Sequence, residues 1–237
     1  MIDDVLGYFW ALGLMLLGIW VIVGAFIPHP TVDEGEPFAI DLQGAQQAKV
    51  KIGHGAGQIE IAAGAPAGQV LTGIRAPGLN FSSRLVGERL EVDLTAGPTF
   101  LPFLGPSSGA WRFRLNGDVP LNLEVDVGAS RLILDLSDLL VNYAKLGTGA
   151  SSVDLTLPRR PANSLFDIEA GAASLDIRVP EGVAIRVRVQ QGISSVNIDG
   201  KRFPRLEGGI YQSPDFDKAA NRAELNIEAG VGSVKIH

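Results

Sequence analysis

The sequence predicts an all-β protein whose C-terminal half winds as a parallel β-helix, with a β meander ahead of it and a single transmembrane helix at the N-terminus. Three observations predict it. One short phrase recurs at a near-constant interval, apolar residues alternate on both sides of each copy, and the chain opens with a long uncharged run.

The recurring phrases are VGASRLIL, TGASSVDL, AGAASLDI, QGISSVNI and AGVGSVKI, with glycines at Gly128, Gly149, Gly171, Gly192 and Gly230. Successive copies are 21, 22, 21 and 38 residues apart, the last interval holding one insertion. A sixth copy, HGAGQIEI around Gly55, stands alone upstream. Repetition at this period marks a solenoid, in which a coil cannot bury its apolar face without neighbours. Three residues before the glycines stand Val125, Leu146, Ile168, Val189 and Ile227; four after them stand Leu132, Val153, Leu175, Val196 and Val234. Apolar residues at every second position are the period of a strand with one buried face. Each repeat therefore reads as strand, glycine corner, strand and return segment. A corner glycine answers either to positive φ or to close approach of another backbone. The uncharged residue after each glycine (Ala129, Ala150, Ala172, Ile193, Val231) is expected to point inward. In coils stacked in chain order, the column four before the glycines reads Glu124, Lys145, Asp167, Arg188, Asn226, with alternating signs that support pairing.

In chain order, residues 1–4 form a short tail, and residues 5–27, from Val5 to Ile27, are 23 positions without a charge. A helix of that length spans ~34 Å against a hydrocarbon core of ~30 Å. The run is read as a membrane anchor and not a cleaved signal, because it begins MIDD without a basic region and is too long. The β-domain is placed on the extracytoplasmic side. Residues 28–44 read as a linker. Residues 45–122 hold the first repeat and a meander with strands near residues 70–75, 79–86, 89–94 and 111–115 and a turn at Gly87 and Glu88. Within it a proline-broken loop carries Phe100, Leu101, Phe103 and Leu104 and runs to Trp111. Either these side chains fold back to plug the solenoid end, or they contact a membrane or a partner. Residues 123–237 form the repeats, and the insertion between Gly200 and Asn221 crosses the far end of the stack.

No catalytic, cofactor or metal site is expected. The 237 residues include no cysteine, which removes disulfides and thiolate chemistry. The net charge of −6 opposes a nucleic-acid partner. His29, His54 and His237 stand far apart, and the strings GHGAG and GTGASS precede no helix, so they are corners and not dinucleotide fingerprints. Asp126, Glu169 and Glu228 share a column two before the glycine, as repetition alone requires. No small-molecule substrate is evident.

The segments WRFRLNGDVPLNLEVDVGAS, GASSVDLTLP, GAASLDIRVPEGVAIRVRVQQGISSVNIDG and YQSPDFDKAANRAELNIEAGVGSVKI resemble the toast-rack family, best known from the C-terminal domain of LiaF-type cell-wall-stress proteins. The resemblance implies a single-stranded right-handed β-helix without catalysis, acting in bacterial envelope stress, where such proteins restrain a membrane sensor kinase. Those proteins carry several membrane helices, whereas this chain has one apolar run. The expected function is thus a non-enzymatic, membrane-anchored envelope protein with a recognition or regulatory domain, its partner a membrane sensor protein or another copy of itself. A self-assembling scaffold and a cell-wall glycan-binding module are the alternatives.

Overall fold

The structure, a computed structural model, describes residues 36–75, 78–96 and 110–237. The anchor run of residues 5–27 lies outside these, as do Phe100, Leu101, Phe103 and Leu104. Among the described residues no helix is long and apolar enough to cross a membrane.

Among the described residues, all twelve strands join one large mixed sheet. The cap comprises β1 (Glu36–Asp41), β3 (Gln69–Arg75), β4 (Leu79–Val86), β5 (Arg89–Ala96) and β6 (Ala110–Leu115), set around the first long strand, β2 (Gln47–Ala63). The stack continues with β7 (Leu121–Asp135), β8 (Val141–Thr156), β9 (Asn163–Arg178), β10 (Ala184–Ile198) and β12 (Arg222–Ile236), the two-residue β11 (Tyr211–Gln212) lying between the last two in sequence. Strands form where alternation and turn residues place them: β4 and β5 pair antiparallel across Gly87, whose φ is 61°.

The six long strands are parallel and in register, but not in chain order: the sheet runs β2-β7-β8-β9-β12-β10. The copy around Gly55, isolated in sequence, is the first coil of the stack: β2 pairs along its length with β7. One expectation changes. The final copy is not the outermost, because β12 lies between β9 and β10. The residues between Gly200 and Asn221 make this placement possible. They cross the end of the stack, where Phe203 and Phe216 are buried and β11 pairs with Arg186 and Val187.

Each long strand is bent at its glycine into two limbs, and the core lies inside the bend. Residues five, three and one before the glycine face inward, as do those two, four and six after it; in β7 these are Leu123, Val125, Val127, Ser130, Leu132 and Leu134, all buried. Return segments close the remaining side with Leu136, Leu139, Leu157, Val179 and Val183. They also bond from coil to coil, as in Leu157 N–H to the Arg178 carbonyl at 3.0 Å and Val179 N–H to the His237 carbonyl at 2.8 Å. Burying a large aliphatic side chain contributes about 1.5–3 kcal/mol, so no coil is stable without the next. At the near end, β5 pairs with one limb of β2 and β6 with the other, which covers an edge that would otherwise stand open.

Candidate functional site: the glycine corner and its groove

Inward residues flank the corner at one before and two after the glycine, so the glycine and its successor both turn outward. Gly128 and Ala129, Gly149 and Ala150, and Gly171 and Ala172 are exposed, and Val231 is 56% exposed. The expectation that the second residue of each pair points inward is therefore corrected. A strand that changes direction breaks its two-residue period once, and the break falls here. The side chain of Ile193 is outside the described set.

The corner glycines stack on one another. A Cβ at Gly128 would lie 2.5 Å from the carbonyl oxygen of Gly55; at Gly149, 2.8 Å from that of Gly128; at Gly171, 3.0 Å from that of Gly149. The series continues through Gly230, 2.7 Å from the Gly171 oxygen, to Gly192, 2.7 Å from the Gly230 oxygen. None of these glycines has positive φ. Of the two reasons for glycine at a corner, close backbone approach is the operative one. Gly55 opens the column and has nothing within 4 Å of its Cβ position.

Beside this column runs an open groove of about 770 Å³. In stack order its wall carries Asp126, Gly147, Glu169, Glu228 and Gln190, one residue from each of the five coils after β2. Glu169 receives Lys145 Nζ at 2.8 Å, a contact that raises the lysine's pKa. Glu228 stands in register beside Glu169, and among the described residues no cation lies within ion-pair distance of it. A second hollow of about 420 Å³ adjoins the first, lined by Lys51, Glu124 and Lys145 on the neighbouring coils. The groove wall is thus acidic or neutral at each coil, with the lysines in the adjoining hollow, and its positions repeat at the ~4.8 Å spacing of strands.

Polar links tie each coil to the next. Lys49 meets Glu124 at 2.8 Å, Arg131 meets Asp154 at 3.4 Å, Asn226 Nδ2 donates to Asp167 at 2.9 Å, and Arg188 pairs with Glu224. Tyr143 also donates to Asp167, at 3.1 Å; burial and that bond raise the phenol's pKa. Because β12 intervenes, the column four before the glycines reads Lys51, Glu124, Lys145, Asp167, Asn226, Arg188. The order of the last two is the reverse of the expected one. Most of the ion pairs run diagonally between coils, a relation that sequence columns do not display.

Trp111, grouped with the loop as a contact residue, is a core residue. It is fully buried, with its ring centroid 4.2 Å from that of His54 and 6.0 Å from that of Phe113. Its place in β6, alternating with Arg112, turns it into the bend of β2. In the insertion, Asp217 pairs with Arg186 at 3.1 Å, and the Asp215 carbonyl accepts two backbone N–H groups of a turn. Among the described residues no group of three or more His, Cys, Asp or Glu is arranged to hold a metal ion.

Residues 29–178 match the family model described as the N-terminal domain of toast_rack, DUF2154. Among solved structures, a candidate cell adhesion protein from Clostridium sporogenes superposes with a TM-score of 0.73 at 20% identity, over 86% of this chain and 98% of that one. A candidate adhesin from Bacteroides fragilis is similar over 88% of this chain and 100% of that one, at 10% identity and a TM-score of 0.32. No curated protein matches the chain. The family match spans well over half of the sequence: the chain belongs to the toast-rack family.

Proposed function

We propose that this chain is a non-enzymatic, single-pass envelope protein, held in the cell membrane by residues 5–27, with its β-domain outside the cytoplasm as a recognition or regulatory module in envelope-stress signalling. The winding is read as a right-handed, single-stranded β-helix. Parallel in-register coils with short returns support that hand, which right-twisted strands favour. The observation that carries the functional reading is the groove along the glycine column. Its wall repeats once per coil and presents polar side chains over a rigid backbone, an arrangement suited to holding an extended, repetitive or peptide-like ligand. The uncharged N-terminal run and the cell-adhesion description of the Clostridium sporogenes protein agree with display at a cell surface.

The test has two parts. Alkaline phosphatase fused after His237 in the full chain should be active, and loss of the chain should change the transcriptional response to cell-wall antibiotics. An inactive fusion removes the extracytoplasmic placement; an unchanged response removes the stress role. The repeating groove also supports a second reading, binding of cell-wall glycan. Retention of the protein on purified peptidoglycan, lost in Glu169→Lys/Glu228→Lys, is its expected outcome.

A further inference from the structure

The two ends of the stack are finished differently. At the near end β5 and β6 cover both limbs of β2, whereas at the far end β11 covers only Arg186 and Val187 of β10. No strand among the described residues pairs with residues 188–198 on that side. The core column is also left half covered there. The inward Val189, Val196 and Ile198 are only partly buried, while Ile168, Leu175 and Ile177 two coils away are at 0–1% exposure. Natural edges are guarded by proline, lysine or a bulge. This one presents the exposed, uncharged Gln190, Ser195 and Asn197 instead, and its Arg188 is already tied to Glu224.

We infer that the β10 edge is a pairing surface for a second copy of this chain, joined about a two-fold axis through the corner. The bend itself selects that occupant. Inward positions lie symmetrically about the midpoint between Gly192 and Ile193. A two-fold there exchanges the limbs and runs the two strands antiparallel, inward residue against inward residue. In this register Val189 faces the partner's Val196, Gln190 faces the partner's Ser195, and Arg188 faces the partner's Asn197. No like charges meet. On the uncovered stretch 188–198 the limb before the corner carries Arg188 and no acid, and the limb after it carries neither acid nor base, so the pairing sets no charge against its like. Such a contact is isologous and closed, giving a dimer and not a fibre.

The two stacks are then coaxial and head to head. β1, where the chain enters the domain, lies at the opposite end of the sheet from β10. The first coils of the two copies are separated by about eleven strand spacings, roughly 50 Å. On the anchor reading given above, the chains enter from opposite sides, and the contact links two facing membranes.

The chain has no native cysteine, so register is directly testable. Full-length Gln190→Cys and Ser195→Cys variants, purified in detergent, are oxidised separately and as a mixture. Directly opposed residues on antiparallel strands lie within disulfide range, whereas each of these positions stands five residues along the strand from its own two-fold mate, beyond that range even across the bend. Disulfide-linked dimer is expected in the mixture and not in either variant alone. Its absence from the mixture, or equal yields in the single variants, overturns the proposal. Sedimentation of the unmodified full chain is the second measurement: a dimer that Ser195→Arg converts to monomer is expected, and a strict monomer overturns the proposal and leaves the edge to another polypeptide. Vesicles carrying the protein should cluster. Cross-linking without clustering leaves the edge pairing intact and removes the facing-membrane arrangement.

Discussion

Gly230 sits so close above Gly171 that a Cβ at position 230 would lie 2.7 Å from the Gly171 carbonyl oxygen. The same relation links every neighbouring pair in the column, so a methyl group there must push two coils apart. Gly128→Ala and Gly230→Ala are each expected to lower stability by about 1–3 kcal/mol, the usual cost of overpacking. Gly55→Ala, at the open head of the column, is expected to be neutral or to stabilise by about 0.5 kcal/mol through the unfolded chain. Urea titrations of the three variants check this; equal losses at all three sites would show that the corner needs glycine for another reason.

Phe166 lies in the middle coil, fully buried between β8 and the last strand, β12. Phe166→Ala should cost about 3–5 kcal/mol. Because the coils share one core, the loss should appear in a single cooperative transition by both tryptophan fluorescence and circular dichroism. Two separated transitions would mean that the cap and the stack unfold independently.

Glu228 and Glu169 stand side by side in register, and only Glu169 has a lysine partner. Glu228→Gln should therefore stabilise the domain by roughly 0.2–1 kcal/mol, the scale of a cross-strand like-charge pair. The gain should shrink in high salt. Thermal melts at two ionic strengths test it, and a destabilised variant would indicate that Glu228 holds a structural role.

Asp176 receives Lys235 Nζ at 3.1 Å and faces His237 Nε2 at 2.7 Å. Burial pushes its carboxyl up, but these two partners outweigh burial and hold it below the usual aspartate value of 3.8. A carboxyl depressed in the folded state contributes stability that is present above the unfolded value and lost as pH falls through the folded one. The group is 39% exposed, so the contribution is on the order of 0.5 kcal/mol. Asp176→Asn should lose that amount at neutral pH and nothing near pH 2, as denaturant midpoints across the range will show.

Trp111 is fully sequestered beside His54. In a Trp10→Phe/Trp20→Phe background, its emission should be blue-shifted and resist acrylamide quenching until the domain unfolds. Ready quenching would return it to the surface.

Much of the fold was legible because a stacked coil repeats the same physics at a fixed interval. The alternation around Gly128, Gly149 and Gly171 places both limbs of each strand, and Gly87 with Glu88 places the hairpin of the cap. The position of β12 between β9 and β10 was not legible. Both neighbours present equivalent apolar columns, so Leu225 fits against Phe166 and Val187 alike, and only the span of the insertion decides. The outward turn of Ala129 and its equivalents was obscured because a small apolar residue suits either side of a corner. Trp111 was misplaced by the proline-broken loop before it, although its alternation with Arg112 and Phe113 carries the signal of a strand. The groove wall was visible as a column of acids, but its closing lysine, Lys145, lies on a diagonal that column reading passes over.

The placement of β12 also governs how the molecule is made. Residues 222–236 leave the ribosome after β9 and β10, yet among the described residues they are the only bridge between those two strands. A growing chain can add coils in succession through β9 and must then hold β10 in reserve, its apolar face without a permanent seat, until residues 222–236 arrive to be inserted. Closure of the core therefore waits on β12, and a chain that stops before residue 222 has no means of becoming a shorter version of the same protein.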